Sequence, residues 1–129
     1  MALDAAKQVA YWRAGADEAL GAAELLIVSG RYNFGLFFLH LALEKMLKAI
    51  VAKETGDVPP KTHDLLLLAR RAGLNLAMDV SEVLGEFQVY CMAGLYPDAE
   101  PRAVDRPLAE RELARANEAF KWLQQQFSK

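Results

Sequence analysis

The sequence predicts an all-α fold, an up-and-down four-helix bundle carrying one additional short helix. Glycine and proline punctuate the chain at only a few places, the segments between them carry apolar residues three and four apart, and no segment shows the alternation of a strand. At 129 residues the chain has the length of one domain, which buries roughly two-thirds of its unfolded surface. Residues 1–129 are therefore read as a single helical domain, with no internal repeat.

The first helix is expected from about Asp4 to Val28, with Trp12, Ala16, Ala19, Leu20, Ala23, Leu26 and Ile27 on one stripe, and Ser29-Gly30 ending it. The second runs from about Arg31 to Glu54 and is apolar almost all round, from Leu36 to Val51, as a centrally buried helix is. Thr55-Gly56 stops it, and Pro59-Pro60 holds the next loop extended. A short third helix follows from about Thr62, a candidate N-cap, to Ala72, closed by Gly73. The fourth begins at Asp79, which with Glu82 has the spacing of a capping box, and turns Val80, Val83, Leu84, Phe87, Tyr90, Cys91 and Leu95 inward. Pro97, Pro101 and Pro107 make Tyr96 to Pro107 a loop. The last helix, from about Pro107 to Phe127, packs Leu113, Ala116, Phe120, Leu123 and Phe127 on the domain itself.

Composition narrows the function. The hydrophobic fraction of 53% lies above the norm for soluble domains and points to a second buried face, such as a dimer interface. A formal net charge of -2 gives no overall field toward nucleic acid or an anionic membrane. Cys91 is the only cysteine, which excludes an internal disulfide and a multi-cysteine metal site and fits a reducing, cytoplasmic compartment. Met1 to Arg13 lacks the apolar core of a secretion signal, and no apolar run approaches the roughly 20 residues that span a bilayer.

The most informative polar feature lies on the oily second helix, where His40, Glu44 and Lys48 stand four apart on one side, flanked by Lys45. Helix arithmetic alone favours a solvent-facing edge; the sharper reading places the stripe in a shared cleft, with Lys48 meeting an anionic ligand and Glu44 orienting it. A metal is not expected, because His40 and Glu44 supply two ligands from one helix and His63 is the only other histidine. No cofactor is expected either, since no glycine-rich phosphate loop exists. Cys91 reads as a small buried hydrophobe, and His63 as a packing residue near a helix cap. Tyr96-Pro97-Asp98 leaves a helix end for a loop, where functional groups often lie, although an ordinary helix stop has the same pattern.

Trp12-Arg13-Ala14, Ser29-Gly30-Arg31-Tyr32, Ala42-Leu43-Glu44-Lys45-Met46-Leu47-Lys48-Ala49, Thr62-His63-Asp64-Leu65 and Tyr96-Pro97-Asp98 together resemble the HEPN domain (higher eukaryotes and prokaryotes nucleotide-binding), over about Tyr11 to Glu118. The resemblance implies a helical bundle that homodimerises and is encoded beside a small nucleotidyltransferase, in many relatives as a toxin and antitoxin with the HEPN protein an RNase. Such RNases use an Arg followed four to six residues later by His. Here the nearest arginine before His40 is Arg31, none precedes His63 in range, and Leu95 stands where relatives commonly carry arginine before Tyr-Pro-Asp. The expectation is therefore a subunit without catalytic residues that homodimerises, partners a nucleotidyltransferase and binds nucleotide in a groove lined by His40, Glu44, Lys48, Tyr96 and Asp98, with His63 and Arg102 as accessory groups. RNA is the weaker expectation as a ligand. The competing readings are an RNase working through substitutes such as His63 with Arg102, and a purely structural dimer.

Overall fold

The computed structural model describes residues 4–93 and 103–128, the side chains of residues 91–93 and 128 excepted. Five α-helices follow one another, α1 (Ala5–Val28), α2 (Tyr32–Thr55), α3 (Leu65–Arg71), α4 (Met78–Ala93) and α5 (Arg106–Gln125), and a 3-10 turn over Gln126–Ser128 closes the described chain. There is no strand among the described residues, and none of the described helices is long and apolar enough to cross a membrane. The all-α expectation holds.

Each end has a local cause. Asp4 caps α1 by accepting from the Lys7 amide at 3.1 Å, and Asp105 caps α5 by accepting from the Leu108 amide at 3.0 Å. Gly56, at φ 68°, takes the left-handed conformation that ends α2. Two predicted caps move. Asp64, not Thr62, caps α3, accepting from the Leu66 and Leu67 amides at 3.1 Å each, while the Thr62 hydroxyl accepts from the Asp64 amide one step earlier. Asp79 lies inside the first turn of α4 and accepts from the adjacent Val80 amide, so it does not close a box with Glu82.

Helix α2 is the axis of the fold and touches each of the other four helices. Leu36, Leu39, Leu43, Met46, Leu47 and Ile50 are buried along it, joined by Ala16, Ala23 and Ile27 of α1, Leu65 and Leu68 of α3, Leu84 and Phe87 of α4, and Phe120 and Leu123 of α5. The α1–α2 hairpin is tight: a Cβ on Gly35 would stand 2.5 Å from Ile27 Cγ1, so only glycine permits this approach. With so many neighbours, α2 keeps just one open edge.

That edge is not the solvent-facing one that helix arithmetic alone favours. His40, Glu44 and Lys48 are all buried, which overturns the solvent-edge expectation. Facing outward instead are Phe34, which is exposed, and the half-buried Phe37, Phe38, Leu41 and Lys45. The physical reason is packing: α2 has all four other helices against it, and on its polar side Trp12 of α1 covers Lys48 while His63 of the α2–α3 connection meets Glu44.

Candidate functional site

Glu44 is the centre of the polar cluster. One carboxylate oxygen receives the Lys48 ammonium at 3.0 Å along the same helix. The other is 2.8 Å from His63 Nδ1, which arrives from the α2–α3 connection. Because an ionised carboxylate offers only acceptors, His63 Nδ1 carries the hydrogen and donates, and in the neutral imidazole Nε2 is then the lone-pair nitrogen. The His63 ring is 64% exposed whereas the Glu44 side chain is 5% exposed, so a buried anchor holds an accessible imidazole.

Behind them, His40 is 1% exposed, and neither of its ring nitrogens has a hydrogen-bond partner. Its Nε2 lies 3.8 Å from the Glu44 oxygen that holds His63, near enough for attraction and too far for a hydrogen bond. Burial pushes His40 down to about 4 against the opposing pull of Glu44, and His63 adds to the lowering. His40 is therefore neutral near pH 7. Lys48 also sits over the Trp12 ring, 5.2 Å from its centroid, and the Trp12 indole donates to Gln8 at 3.2 Å. The chain thus brings His40, Glu44, Lys48 and His63 into one cluster. Tyr96, Asp98 and Arg102, and with them Leu95, lie outside the described residues.

A second buried carboxylate is absent from the candidates that the sequence motifs supply. Glu112 of α5 is 2% exposed. It accepts from the Tyr90 hydroxyl at 2.7 Å and from Arg115 Nη1 at 2.9 Å, and Arg115 also pairs with Glu86 at 2.6 Å, which ties α4 to α5. For the Arg115 guanidinium, burial works against the charge, but the hydrogen bonds it donates to Glu112 and Glu86 outweigh it and leave its pKa above the ordinary arginine value. The signal lies in the spacing: Ala109, Glu112, Ala116, Ala119 and Leu123 recur at three and four, so Glu112 occupies a core register.

Clefts open at two places on the described surface, between α4 and α5 and at the α1–α2 turn. One of about 410 Å³ lies between α4 and α5 and includes Asp79, Glu82, Arg115, Lys121 and Trp122. A second, about 310 Å³, is floored by the Glu112 cluster, and a third, about 290 Å³, surrounds the α1–α2 turn. Among the described residues no group of three or more His, Cys, Asp or Glu is placed to hold a metal ion.

Comparison with known proteins identifies the fold. The chain superposes on TT1696 from Thermus thermophilus with a TM-score of 0.79 at 25% identity, covering 92% of this chain and 97% of that one. It superposes on ST0689, described as an archaeal HEPN homologue, with a TM-score of 0.73 at 18% identity, covering 92% and 96%. No curated protein matches it. The HEPN domain family model matches residues 9–126, nearly the whole chain. This protein belongs to the HEPN domain family.

Proposed function

We propose that this chain is a HEPN subunit that homodimerises, partners a small nucleotidyltransferase in a module of the toxin-antitoxin type, and does not cut RNA by the Arg/His route. The carrying observation is the reversed amphipathicity of α2. Its polar residues His40, Glu44 and Lys48 are turned into the protomer, and its other edge carries the exposed Phe34 and the half-buried Phe37, Phe38 and Leu41, the last two packed partly against the core. Leu25 and Val28, in the last turns of α1, are exposed near the same turn of the hairpin. The exposed Leu25, Val28 and Phe34 about the α1–α2 turn support an interaction surface, and a second copy burying the same face against itself is the commonest closed solution.

The absence of an Arg/His pair at four to six residues supports the non-ribonuclease part of the reading. The nucleotidyltransferase partner rests on family membership. Nucleotide binding at the Glu44 cluster belongs to the same reading, although Lys48 already has Glu44 as counter-ion, so the group a ligand would meet first is His63.

Light scattering on the purified chain, with and without the double substitution Leu25→Glu, Phe34→Glu, tests the dimer. The expected result is a dimer that becomes a folded monomer. A monomeric wild type overturns it. Co-expression with a nucleotidyltransferase encoded beside the gene is expected to give a stable complex. Millimolar ATP is expected to raise the thermal midpoint, because a ligand that binds only the folded state must do so.

A further inference from the structure

We propose that His63 Nε2 is a nucleophilic acceptor for a phosphoryl group delivered by an activated donor, with Glu44 as its positioning residue. This goes beyond the dimer and partner reading and does not depend on it.

The division of labour within the His63 ring comes first. Its Nδ1 donates to Glu44 at 2.8 Å, which fixes the tautomer and leaves the Nε2 lone pair free. The same arrangement, a carboxylate on one ring nitrogen and reaction at the other, is how hydrolases orient and activate a histidine. Glu44 is rigidly placed, since it lies on the central helix, is almost wholly buried, and is held on its other oxygen by Lys48 at 3.0 Å. His63 itself is 64% exposed.

Two observations favour an acceptor over the centre of a small-molecule enzyme. The His63 ring is 64% exposed and lies outside the clefts at α4–α5 and at the α1–α2 turn. No second reactive group from its own cluster shares its outer face either: of the other groups on Glu44, His40 is buried and Lys48 nearly so. An exposed nucleophile, 64% open to solvent and held from behind by a buried carboxylate, suits a group presented by another molecule.

The step balances. The Nε2 lone pair attacks phosphorus, the bond from phosphorus to the donor's leaving group breaks, and the leaving group departs with that electron pair. The imidazolium so formed keeps its Nδ1 hydrogen against Glu44, whose negative charge offsets the new positive charge. A fixed anion at Nδ1 therefore favours the product as well as the reactive tautomer.

The test uses the full chain with potassium phosphoramidate and, separately, acetyl phosphate, followed by intact mass and phosphorus NMR. The expected result is one acid-labile phosphoryl group on His63 Nε2, formed about tenfold or more faster than on N-acetylhistidine under the same conditions. It is absent from His63→Ala and slowed in Glu44→Gln. A rate no faster than that of N-acetylhistidine, or a label on another residue, overturns the proposal. Because Glu44→Gln perturbs a buried ion pair, a second readout uses the wild type alone: imidazole nitrogen shifts at neutral pH should report the Nδ1–H form of His63, and a dominant Nε2–H form overturns the positioning role.

Discussion

Two carboxylates are buried among the described residues, and their surroundings differ in kind. Glu112 is closed: the Tyr90 hydroxyl and the Arg115 guanidinium occupy its two oxygens, and Arg115 runs on to Glu86. Glu44 is open: it holds Lys48 on one oxygen, but the other is shared between an exposed imidazole and a buried one that makes no hydrogen bond. A buried polar network whose members are all satisfied specifies packing, whereas one left incomplete costs free energy that stability alone does not explain. The contrast marks the α4–α5 cluster as architectural, and the incompleteness of the α2 cluster is what supports the proposal of a chemical role for it.

The largest test of that contrast is removal of the closed carboxylate. Glu112→Ala deletes the acceptor that Tyr90 and Arg115 share between two helices. It is expected to lower unfolding free energy by about 3–4 kcal/mol in urea titrations, with part of the cost relieved because Arg115 is partly exposed and keeps Glu86. A loss below about 1 kcal/mol would move Glu112 out of the architectural class.

Acid should find the open cluster first. His40 has an ordinary value of 6.5, lowered by burial to about 4 in the fold. The unfolded chain therefore binds this proton more readily than the folded one, so the stability His40 contributes is full above pH 6.5 and is lost as pH falls toward 4. Over that window the loss is about 3 kcal/mol, at about 1.4 kcal/mol per pH unit. His40→Leu should flatten the pH dependence of the midpoint in that window, and an unchanged slope would remove His40 as its source.

How much of this is legible in the sequence depends on what sets each feature. Helix ends are readable where one residue decides them, as Gly30 and Gly56 do. They are less readable where two cap-forming residues compete, as Thr62 and Asp64 do two positions apart. The i,i+4 spacing correctly joins Glu44 to Lys48. Its direction is not legible, because a helix apolar almost all round has no hydrophobic pattern to say which side faces in, and only the four neighbours of α2 settle it. The arrival of His63 at Glu44 depends on the path of the α2–α3 connection, which no periodicity encodes. Glu112 is legible without any motif: a charged residue in a core register is itself a sign of a buried partner.

Single polar groups sharpen the contrast at smaller magnitude, and here the two clusters should differ in sign. Tyr90→Phe deletes the 2.7 Å hydrogen bond to Glu112 and should cost about 1–2 kcal/mol. His40→Leu at neutral pH replaces two unpartnered buried nitrogens by an apolar side chain of similar volume and should stabilise the fold by about 1 kcal/mol. Two losses of equal size would mean that the two clusters are alike after all.

The smallest effect is the most discriminating. His63→Ala removes a mostly exposed ring and one hydrogen bond to a carboxylate that keeps its Lys48 partner, so thermal and urea stability should change by less than about 1 kcal/mol. A side chain that contributes so little to folding, yet is held in one tautomer by a buried anion, is placed for something other than folding. If His63→Ala instead unfolded the bundle, the Glu44–His63 pair would be a strap between α2 and the connection to α3, and the open cluster would join the closed one as architecture.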